Sequence, residues 1–508
     1  MSHFLGLLEQ ENISKNLLLL FLLVVLLLFS SRKVLAASWM DNEAFEMHGE
    51  TFRGSSEELK KEVLKPSWSL LKVFLVCLLA GLLSTALGVL GLSLVYGGSG
   101  PTSRRGMDLP KELPPSPGPE EKSLEAKFQF LNHLRSSKVH LYPGGEMRWA
   151  RFRKDPGAYG SHQELLFGRS LHLHRSKMTL ATLKIPSRGL RGPHWHLNAN
   201  EHGYLLQELQ GPSQELQVLF VPQGSAWVGV ISADAEVATF NVSAGQVVFF
   251  PRNSVHWIKN VGAQDCLFLL FFSTHEELET LELDEVFFST PEDVVARALK
   301  PRGGVNFIRT FKKPREAQAL NLPANLEELL HNVTYGQAPA HLVWRFFYDL
   351  RGSATFPFPG GSFQWARYRR DPSGLSGLEK IFSQSLNQHE DTLTLAALRL
   401  STNSLGHPHF HPNANELGYV VSGCGQAGLV VPQGASDFNV DVGDVVFFPE
   451  GTQHFLKSTC QEDLLLLLAY STGEQLETLR LRDYFKGTAD HVLAQLFHKD
   501  QRDFQKIP

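Results

Sequence analysis

Cysteine is scarce in this chain, with four in 508 residues, and neither sign of charge dominates, since 48 Lys and Arg stand against 52 Asp and Glu. So few cysteines exclude a small scaffold held together by disulfides. The formal net charge of −4, without a basic patch interleaved with aromatic residues, gives no case for a nucleic-acid partner. At this length the chain can hold about three domains of ordinary size.

The positions of the cysteines leave two alternatives open. Cys77 lies within an apolar run, while Cys266, Cys424 and Cys460 follow apolar, strand-like segments. Cys424 and Cys460 could pair in an oxidising compartment, but buried free thiols are at least as consistent with the sequence.

Two apolar runs predict a membrane-associated N-terminus. Residues 17–29 are thirteen consecutive apolar residues, about the length of a signal-peptide core, so residues 1–36 are interpreted as a signal or anchor segment. Residues 37–72 form a basic juxtamembrane segment. Residues 73–96 carry no charge in twenty-four positions and predict a transmembrane helix. Residues 97–126, rich in Pro and Gly, are typical of an exposed linker.

Flanking charge predicts the orientation of this anchor. The segment between the two apolar runs is the most basic flank, which favours a cytosolic location for it and an extracellular or luminal location for the C-terminal bulk. Cleavage of the first run as a signal peptide would reverse this orientation. The glycosylation acceptor sequences at Asn241 and Asn332 agree with a luminal bulk.

The remainder of the chain is an internal duplication. The segment from Trp149 to Pro156 recurs from Trp365 to Pro372, and the segment from Gly245 to Pro251 recurs from Gly443 to Pro449. The repeating unit is much longer than a solenoid repeat, so two tandem domains are predicted, over residues 127–303 and 304–508. Sixteen residues, 208–223, are present only in the first copy and are interpreted as an insertion at a strand-to-strand turn.

Within each copy, short alternating or β-branched runs separated by Gly and Pro turns predict a mainly β domain, either an antiparallel sandwich or a barrel. The Leu-rich, charged segments near residues 276–300 and 474–498 predict helices that close each domain.

Each copy also carries the same set of metal-ligand residues. The pattern H-x-H-x4-E is followed by a further histidine in both copies. The two sets are His194, His196, Glu201 and His256, then His409, His411, Glu416 and His454. In a strand, residues i and i+2 share a face, so both histidines of H-x-H point the same way. Three imidazoles and a carboxylate suit a divalent transition metal with open coordination positions.

These two motifs, H-x-H-x4-E and the later G-x5-P-x-G-x2-H-x3-N, resemble the paired signature of the cupin superfamily over roughly residues 128 to 500. Two copies in one chain resemble the bicupins, especially the oxalate decarboxylase and spherulin-like group. The resemblance implies two jelly-roll-like barrels (the double-stranded β-helix) and one Mn²⁺ ion per barrel, with Fe²⁺ or another divalent metal as an alternative. Homo-oligomers are common in that group. Asn253 and Ser458 depart from the second motif.

The resemblance also suggests two catalytic residues in the first copy. Oxalate decarboxylases place an arginine three residues before the first histidine, where this chain has Arg191, and a proton-donating glutamate in a lid, for which Glu277 is the candidate. The second copy has Gly406 at the arginine position, which argues against the same substrate clamp there. A solvent-exposed helix face is the alternative interpretation of the segment around Glu277.

Two other patterns are interpreted as structural. His172 and His174 repeat the H-x-H spacing without a partner glutamate, and we expect them on a strand surface. The Asp-Pro pairs that begin at Asp155 and Asp371 are typical of turns.

The sequence therefore predicts a membrane-anchored bicupin metalloprotein. The leading hypothesis is a manganese-dependent enzyme that acts on a small carboxylate such as oxalate, with dioxygen as a further reactant. The alternatives are a ligand-binding or storage bicupin without turnover, and a germin-like oxidase, because a fold does not determine a reaction.

Overall fold

A computed structural model describes residues 126–206, 225–315, 318–320 and 336–507 of this chain. The predicted N-terminal segments up to residue 125, the insertion at 208–223 and the acceptor Asn332 lie outside these residues. Within the described ranges, no helix combines the length and the apolar character needed to span a bilayer.

The described residues of the first copy contain twelve strands, and those of the second copy also contain twelve. The first set is β1 Leu131–His133, β2 His140–Tyr142, β3 Gly145–Ala150, β4 Thr179–Ile185, β5 Leu190–His196, β6 Glu201–Leu206, β7 Ser225–Ile231, β8 Val237–Ser243, β9 Val247–Phe250, β10 Val255–Asn260, β11 Cys266–Phe272 and β12 Thr280–Glu282. The second set is β13 Phe347–Tyr348, β14 Phe356–Phe358, β15 Gly361–Ala366, β16 Thr394–Leu400, β17 Leu405–Phe410, β18 Glu416–Ser422, β19 Gly425–Val431, β20 Gly434–Val440, β21 Asp444–Phe448, β22 Gln453–Ser458, β23 Leu464–Tyr470 and β24 Leu479–Arg480.

These strands form two barrels, each built from a seven-stranded and a five-stranded antiparallel sheet. In the first barrel the sheet orders are β13-β9-β6-β11-β4-β3-β2 and β12-β5-β10-β7-β8. In the second they are β1-β21-β18-β23-β16-β15-β14 and β20-β19-β22-β17-β24. The prediction of a mainly β chain with two cupin-type domains is confirmed at this level.

Side-chain alternation explains which strands form the walls of the barrels. In β10, residues 256, 258 and 260 are buried and their neighbours are only partly buried, as expected of a sheet with one face toward a core. The central strands β11 and β23 are apolar almost throughout and are buried along nearly their whole length. Phe268, Phe271 and Leu466 are among their fully buried core residues.

The two copies exchange one short strand each. The strand β1 of the first copy pairs with β21 of the second, with Leu131 opposite Val446 and His133 opposite Asp444. Conversely, β13 of the second copy pairs with β9 of the first, with Phe347 opposite Val248. Each seven-stranded sheet is therefore completed by the other half of the duplication, and one hydrophobic core cluster contains residues of both barrels.

Nine α-helices lie among the described residues: α1 His162–Leu173, α2 Leu283–Ser289, α3 Glu292–Leu299, α4 Gly304–Ile308, α5 Ala340–Val343, α6 Gly377–Gln388, α7 Leu481–Gly487, α8 Asp490–Phe497 and α9 Gln501–Phe504. The pairs α2 with α3 and α7 with α8 lie within the segments predicted as closing helices. Residues 273–279, by contrast, are irregular and not helical.

The equivalent helices α1 and α6 begin at side-chain caps. Ser161 accepts a hydrogen bond from the Glu164 amide, and Ser376 accepts one from the Glu379 amide. Such caps satisfy amides that have no partner within the helix.

The expectation that His172 and His174 lie on a strand surface is wrong, because His172 belongs to α1 and His174 follows its last residue. Residues two apart in a helix do not share a face, so this H-x-H is not a ligand pair. The turn interpretation of the Asp-Pro pairs is confirmed: the Asp155 carboxylate accepts from the Gly157 amide, and the Asp371 carboxylate accepts from the Ser373 amide.

Of the two alternatives for the cysteines, Cys424 and Cys460 form a disulfide, and Cys266 is a buried free thiol. The disulfide joins the start of the β19 region to the turn after β22, across a sequence separation of 36. It closes a long loop, which favours the folded state by restricting the unfolded chain.

The exchanged strand β1 predicts a pH effect on stability. His133 lies 2.7 Å from Asp444 through its Nδ1 atom, and this hydrogen bond, opposed by partial burial, raises the pKa of His133. When the pKa of a histidine is higher in the folded than in the unfolded chain, its protonated form stabilises the fold. This stabilisation is complete below the unfolded-state pKa of about 6.5 and is lost as the pH rises through the folded-state pKa. Because the pair is partly exposed, we expect a contribution of less than about 1 kcal/mol.

Thermal unfolding of the wild type and of His133→Gln between about pH 6 and pH 9 measures this contribution. The stability advantage of the wild type should shrink as pH rises. His491→Gln removes an exposed histidine of α8 and is the control, which should track the wild type at every pH. An advantage of the same size at both ends of the range would contradict the assignment.

Candidate metal centres

The two histidines of each H-x-H motif lie on one face of a strand. His194 and His196 are buried in β5, and Trp195 between them is only partly buried. In the second copy His409 lies in β17, and His411 directly follows the last residue of that strand. The five-stranded sheet of each barrel thus presents two imidazoles side by side, as the spacing predicts.

The other two ligands reach the same point from different strands. His256 in β10 stands opposite His194 across the sheet, and His454 in β22 stands opposite His409. Glu201 begins β6 and Glu416 begins β18, both in the facing seven-stranded sheets. The four side chains therefore converge between the two sheets of each barrel.

The ligand atoms of each set lie close enough to share one ion. In each barrel, one ligand atom from each of the four residues lies within 4.8 Å of the others. In the first barrel, Glu201 Oε2 is 2.8 Å from His196 Nε2 and 3.1 Å from His256 Nε2. In the second, Glu416 Oε2 is 3.1 Å from His411 Nε2 and 3.2 Å from His454 Nε2.

Backbone carbonyls hold the outer nitrogens of these imidazoles. His194 Nδ1 is 2.8 Å from the Gly192 carbonyl oxygen, and His256 Nδ1 is 2.9 Å from that of Ser254. The second barrel repeats this arrangement at His409 and His454. A carbonyl oxygen can only accept, so Nδ1 must donate, and a neutral ring then carries its lone pair on Nε2.

This tautomer makes the donor set fit a metal cation. The Nε2 lone pairs of His256 and His454 face the carboxylate oxygens of Glu201 and Glu416 at 3.1 and 3.2 Å. Two acceptors at that distance repel each other, and a buried carboxylate without a cation is costly. A divalent ion between them would bind both lone pairs and compensate the charge.

Burial keeps the imidazoles in the form that binds a metal. It lowers the pKa of His194 well below the ordinary value and lowers the pKa of His409 to about 3. Burial alone would raise the pKa of Glu201, so this carboxylate needs a cation beside it to stay ionised. Neutral imidazoles and an ionised carboxylate are the protonation states required of the ligands.

The first metal centre opens into a cavity of about 480 Å³, and Arg191 lies in its wall. Arg191 is buried, and its terminal nitrogens each lie 2.8 Å from a Glu282 carboxylate oxygen; one also donates to the Gln318 carbonyl oxygen at 3.0 Å. The sequence motifs did not identify Glu282. The two copies of the repeat contained a signal for it: Gly406 is the equivalent of Arg191, and Arg480 is the equivalent of Glu282. Both partners of the ion pair are therefore replaced in the second copy.

Glu277 lines the same cavity from the irregular segment after β11. Its Oε1 atom is 2.9 Å from Arg153 Nε, and its Oε2 atom accepts a hydrogen bond from the Lys154 amide at 3.3 Å. The Asn198 side chain, next to the H-x-H motif, donates to the Glu277 carbonyl oxygen at 2.9 Å. This places a carboxyl group within the cavity that contains the metal ligands, and its role as proton donor stays a prediction.

The second barrel keeps the metal ligands but not these two residues. Gly406 replaces Arg191, and the match of residues 273–281 with 471–479 places Gln475 at the position of Glu277. An amide cannot donate and regain a proton as a carboxyl group does. Only the first barrel therefore combines the metal ligands with a carboxyl group at this position.

Comparisons with known proteins agree with this architecture. The cupin family model matches residues 213–303 and 375–498, and the model of a CLLAC-motif containing domain matches residues 67–96. Oxalate decarboxylase OxdC of Bacillus subtilis is 24% identical over 291 residues, which cover 56% of this chain and 65% of that protein. A probable oxalate decarboxylase of Arthroderma benhamiae is 19% identical over 311 residues, covering 60% and 67% respectively.

The solved structures show the same fold. Oxalate decarboxylase from Bacillus subtilis at pH 4.6 superimposes with a TM-score of 0.55 and 19% identity, over 75% of this chain and 85% of that one. The formate complex of the Lactobacillus farciminis enzyme gives a TM-score of 0.55 and 17% identity, over 75% and 96%. The chain contains two cupin domains. It resembles oxalate decarboxylases and has two His/Glu metal-binding sites, one in each cupin domain.

Metal analysis of the full-length bicupin tests both centres. We expect two divalent ions per chain after dialysis against metal-free buffer. Glu201→Gln and Glu416→Gln should each leave one ion, because loss of the only anionic ligand weakens binding by at least about 10- to 100-fold.

The control for this experiment is His172→Asn, which introduces the residue of the second copy at a partly exposed histidine near His275 and Glu276. This variant should keep both ions. A wild type with one ion, or a stoichiometry that neither glutamate variant changes, would show that the two sets do not bind independently.

Proposed function

We propose that the first barrel is a manganese-dependent decarboxylase of a small dicarboxylate such as oxalate. The observation that carries the proposal is one cavity lined by the metal ligands His194, His196 and Glu201, by three arginines and by the carboxyl group of Glu277. The similarity to oxalate decarboxylases supports the substrate class.

The residues of this cavity have separate tasks in the proposed reaction. His194, His196, Glu201 and His256 would hold the manganese ion. Bound there, manganese would supply open positions for carboxylate oxygens and for dioxygen, and a change of oxidation state. The rest of the chemistry belongs to the arginines and to Glu277.

Arg151 is the cation best placed to meet the substrate. Its guanidinium lies 3.9 Å from the centre of the Trp149 ring, and among the described residues no carboxylate forms an ion pair with it. Burial lowers the pKa of Arg151 to about 10, which leaves it charged at neutral pH. Arg191 and Arg153, in contrast, are already engaged by Glu282 and Glu277. We therefore assign to Arg151 the orientation of the substrate carboxylate that is not bound to the metal. Arg191 is held in place by its ion pair with Glu282.

Glu277 would complete the reaction by proton transfer. When the carbon–carbon bond of hydrogen oxalate breaks, carbon dioxide leaves, and the remaining carboxylate carbon takes a proton to give formate. Glu277 is the carboxyl group that we assign to deliver this proton, and the substrate's own acidic proton restores it. General acid catalysis of this kind contributes about 10²- to 10⁴-fold to a rate.

The test is the release of formate from oxalate by full-length, manganese-loaded protein. Glu277→Gln, which introduces the residue of the second copy, should lower kcat by about 100-fold or more while both metal ions remain bound. Glu279→Gln alters an exposed glutamate two residues away and is the control, with expected activity near that of the wild type.

Two outcomes would favour the other candidate functions. Full metal occupancy without turnover of oxalate would favour a ligand-binding bicupin. The second barrel lacks counterparts of Arg191 and Glu277, which already favours ligand binding without turnover in that barrel. Hydrogen peroxide in place of formate would favour a germin-like oxidase; a probable germin-like protein of Arabidopsis thaliana is 28% identical over 116 residues.

We further propose that a single transmembrane helix at residues 73–96 anchors the protein, with both barrels on the luminal or extracellular side. Two observations support this orientation. Cys424 and Cys460 are paired, which is typical of oxidising compartments. Asn241 of the Asn-Val-Ser acceptor sequence is exposed on β8, where a glycan could be attached.

Expression in cells that glycosylate secreted proteins tests this orientation. The chain should stay in the membrane fraction after alkaline extraction, and glycosidase should increase its mobility, with a smaller effect in Asn241→Gln. Cleavage of the barrels by protease added from the cytosolic side of sealed vesicles would contradict the proposed orientation.

A further inference from the structure

The second metal centre opens into a cavity of about 500 Å³ that differs in character from the first. Its lining contains three residues of the second ligand set, His409, His411 and Glu416, together with Arg367, but most of the wall is aromatic or aliphatic. The apolar residues that matter to the argument are Phe356, Phe358, Phe363, Trp365, Leu398 and Tyr470.

The strand register identifies which residues were exchanged between the copies. In the first barrel His140 pairs with Met147, and Tyr142 pairs with Gly145. In the second barrel Phe356 pairs with Phe363, and Phe358 pairs with Gly361. A histidine, a tyrosine and a methionine of the first cavity wall are thus phenylalanines in the second.

The exchanged residues form a continuous aromatic wall. The rings of Phe358 and Phe363 lie 5.4 Å apart, those of Phe363 and Trp365 lie 4.9 Å apart, and Trp365 stacks on Tyr470 at 5.8 Å. Phe356, at the edge of this wall, is 43% exposed. An aromatic surface of this kind inside a cavity favours a ligand with an apolar body.

One cation, Arg367, lies against this wall. Its guanidinium is 4.5 Å from the centre of the Trp365 ring and 6.0 Å from that of Phe356. Its Nε atom is buried without a hydrogen-bond partner, and among the described residues no carboxylate forms an ion pair with Arg367. A buried donor without a partner carries a desolvation cost that an anionic ligand would remove.

The two glutamates that pair with arginines at the first cavity have no acidic counterparts at the second. Gln475 stands where Glu277 pairs with Arg153, and Arg480 stands where Glu282 pairs with Arg191. Arg480 lines the second cavity too. The replacements therefore change the charge of this cavity toward positive while its wall becomes more apolar.

We propose that the second barrel binds a monocarboxylate with an aromatic or branched apolar body, its carboxylate on Arg367 and its body against the aromatic wall. This ligand differs from the small dicarboxylate proposed for the first barrel, and the proposal stands without any turnover there.

Calorimetric titration of the full-length, manganese-loaded protein tests the proposal with three probes: 3-phenylpropionate, the uncharged 3-phenylpropionamide, and oxalate. The acid should bind with a stoichiometry of one per chain. The amide should bind at least about tenfold more weakly than the acid, because a charge-assisted hydrogen bond is replaced by a neutral one.

Matched variants of the two barrels locate the site. Arg367→Gln should weaken binding of 3-phenylpropionate by about 10- to 100-fold, and Arg151→Gln, the equivalent change in the first barrel, should leave it unchanged. Arg367→Lys keeps the charge and should recover part of the affinity.

The aromatic wall is tested by giving it the residues of the first barrel. The triple variant Phe356→His, Phe358→Tyr, Phe363→Met uses side chains that the fold already accommodates at these positions. It should lose about tenfold or more in affinity for 3-phenylpropionate, with an unchanged thermal midpoint as the check on folding.

Several results would overturn the proposal. Equal affinities for the acid and the amide, or unaltered binding in Arg367→Gln, would remove the carboxylate contact. A loss confined to Arg151→Gln would place the ligand in the first barrel. Absence of saturable binding of the acid, or binding that only Glu416→Gln abolishes, would show that Arg367 and the wall do not form the site.

Discussion

Each barrel depends on one buried carboxylate placed against imidazole lone pairs. Glu201 and Glu416 begin strands of the seven-stranded sheets, whereas the histidines belong to the five-stranded sheets, so each cluster joins the two walls of its barrel. Carbonyl groups hold the outer nitrogens and direct the inner ones toward the carboxylate. A cation at this point would remove the repulsion and also connect the sheets, so metal binding and barrel stability are expected to be linked.

The duplication preserves this cluster and changes part of the cavity wall around it. The first cavity keeps acidic and basic residues in pairs, with Arg191 on Glu282 and Arg153 on Glu277. The second cavity has lost both acids and gained an aromatic wall. In the first barrel the metal ligands lie on β5, β6 and β10, whereas the exchanged residues of the cavity wall lie on β2, β3 and the segment after β11. The wall can therefore change without disturbing the ligands. This separation allows two ligand specificities in one chain.

The exchange of β1 and β13 makes the two barrels one folding unit in the described part of the chain. Each strand completes the sheet of the other copy, and the core is continuous across the junction. The hydrogen bond between His133 and Asp444 joins the exchanged strand β1 to its neighbour β21. Sequence similarity between the copies predicts two domains in tandem, but it cannot show that each copy supplies the edge strand of the other.

The sequence by itself predicted the duplication, the mainly β fold and the eight residues that converge in the two clusters, because strand alternation and the repeated motifs are local properties of the chain. It also determined that Gly406 interrupts the equivalence of the two sites. Only the tertiary structure decided that Arg191 is held by Glu282, 91 residues further along, and that Cys424 pairs with Cys460. It also decided that Arg151 and Arg367 lie on tryptophan rings with no ion-pair partner among the residues that the structure describes. Such pairings depend on which strands meet and how their loops close, and no spacing within the chain encodes the distance between residues brought together by a barrel.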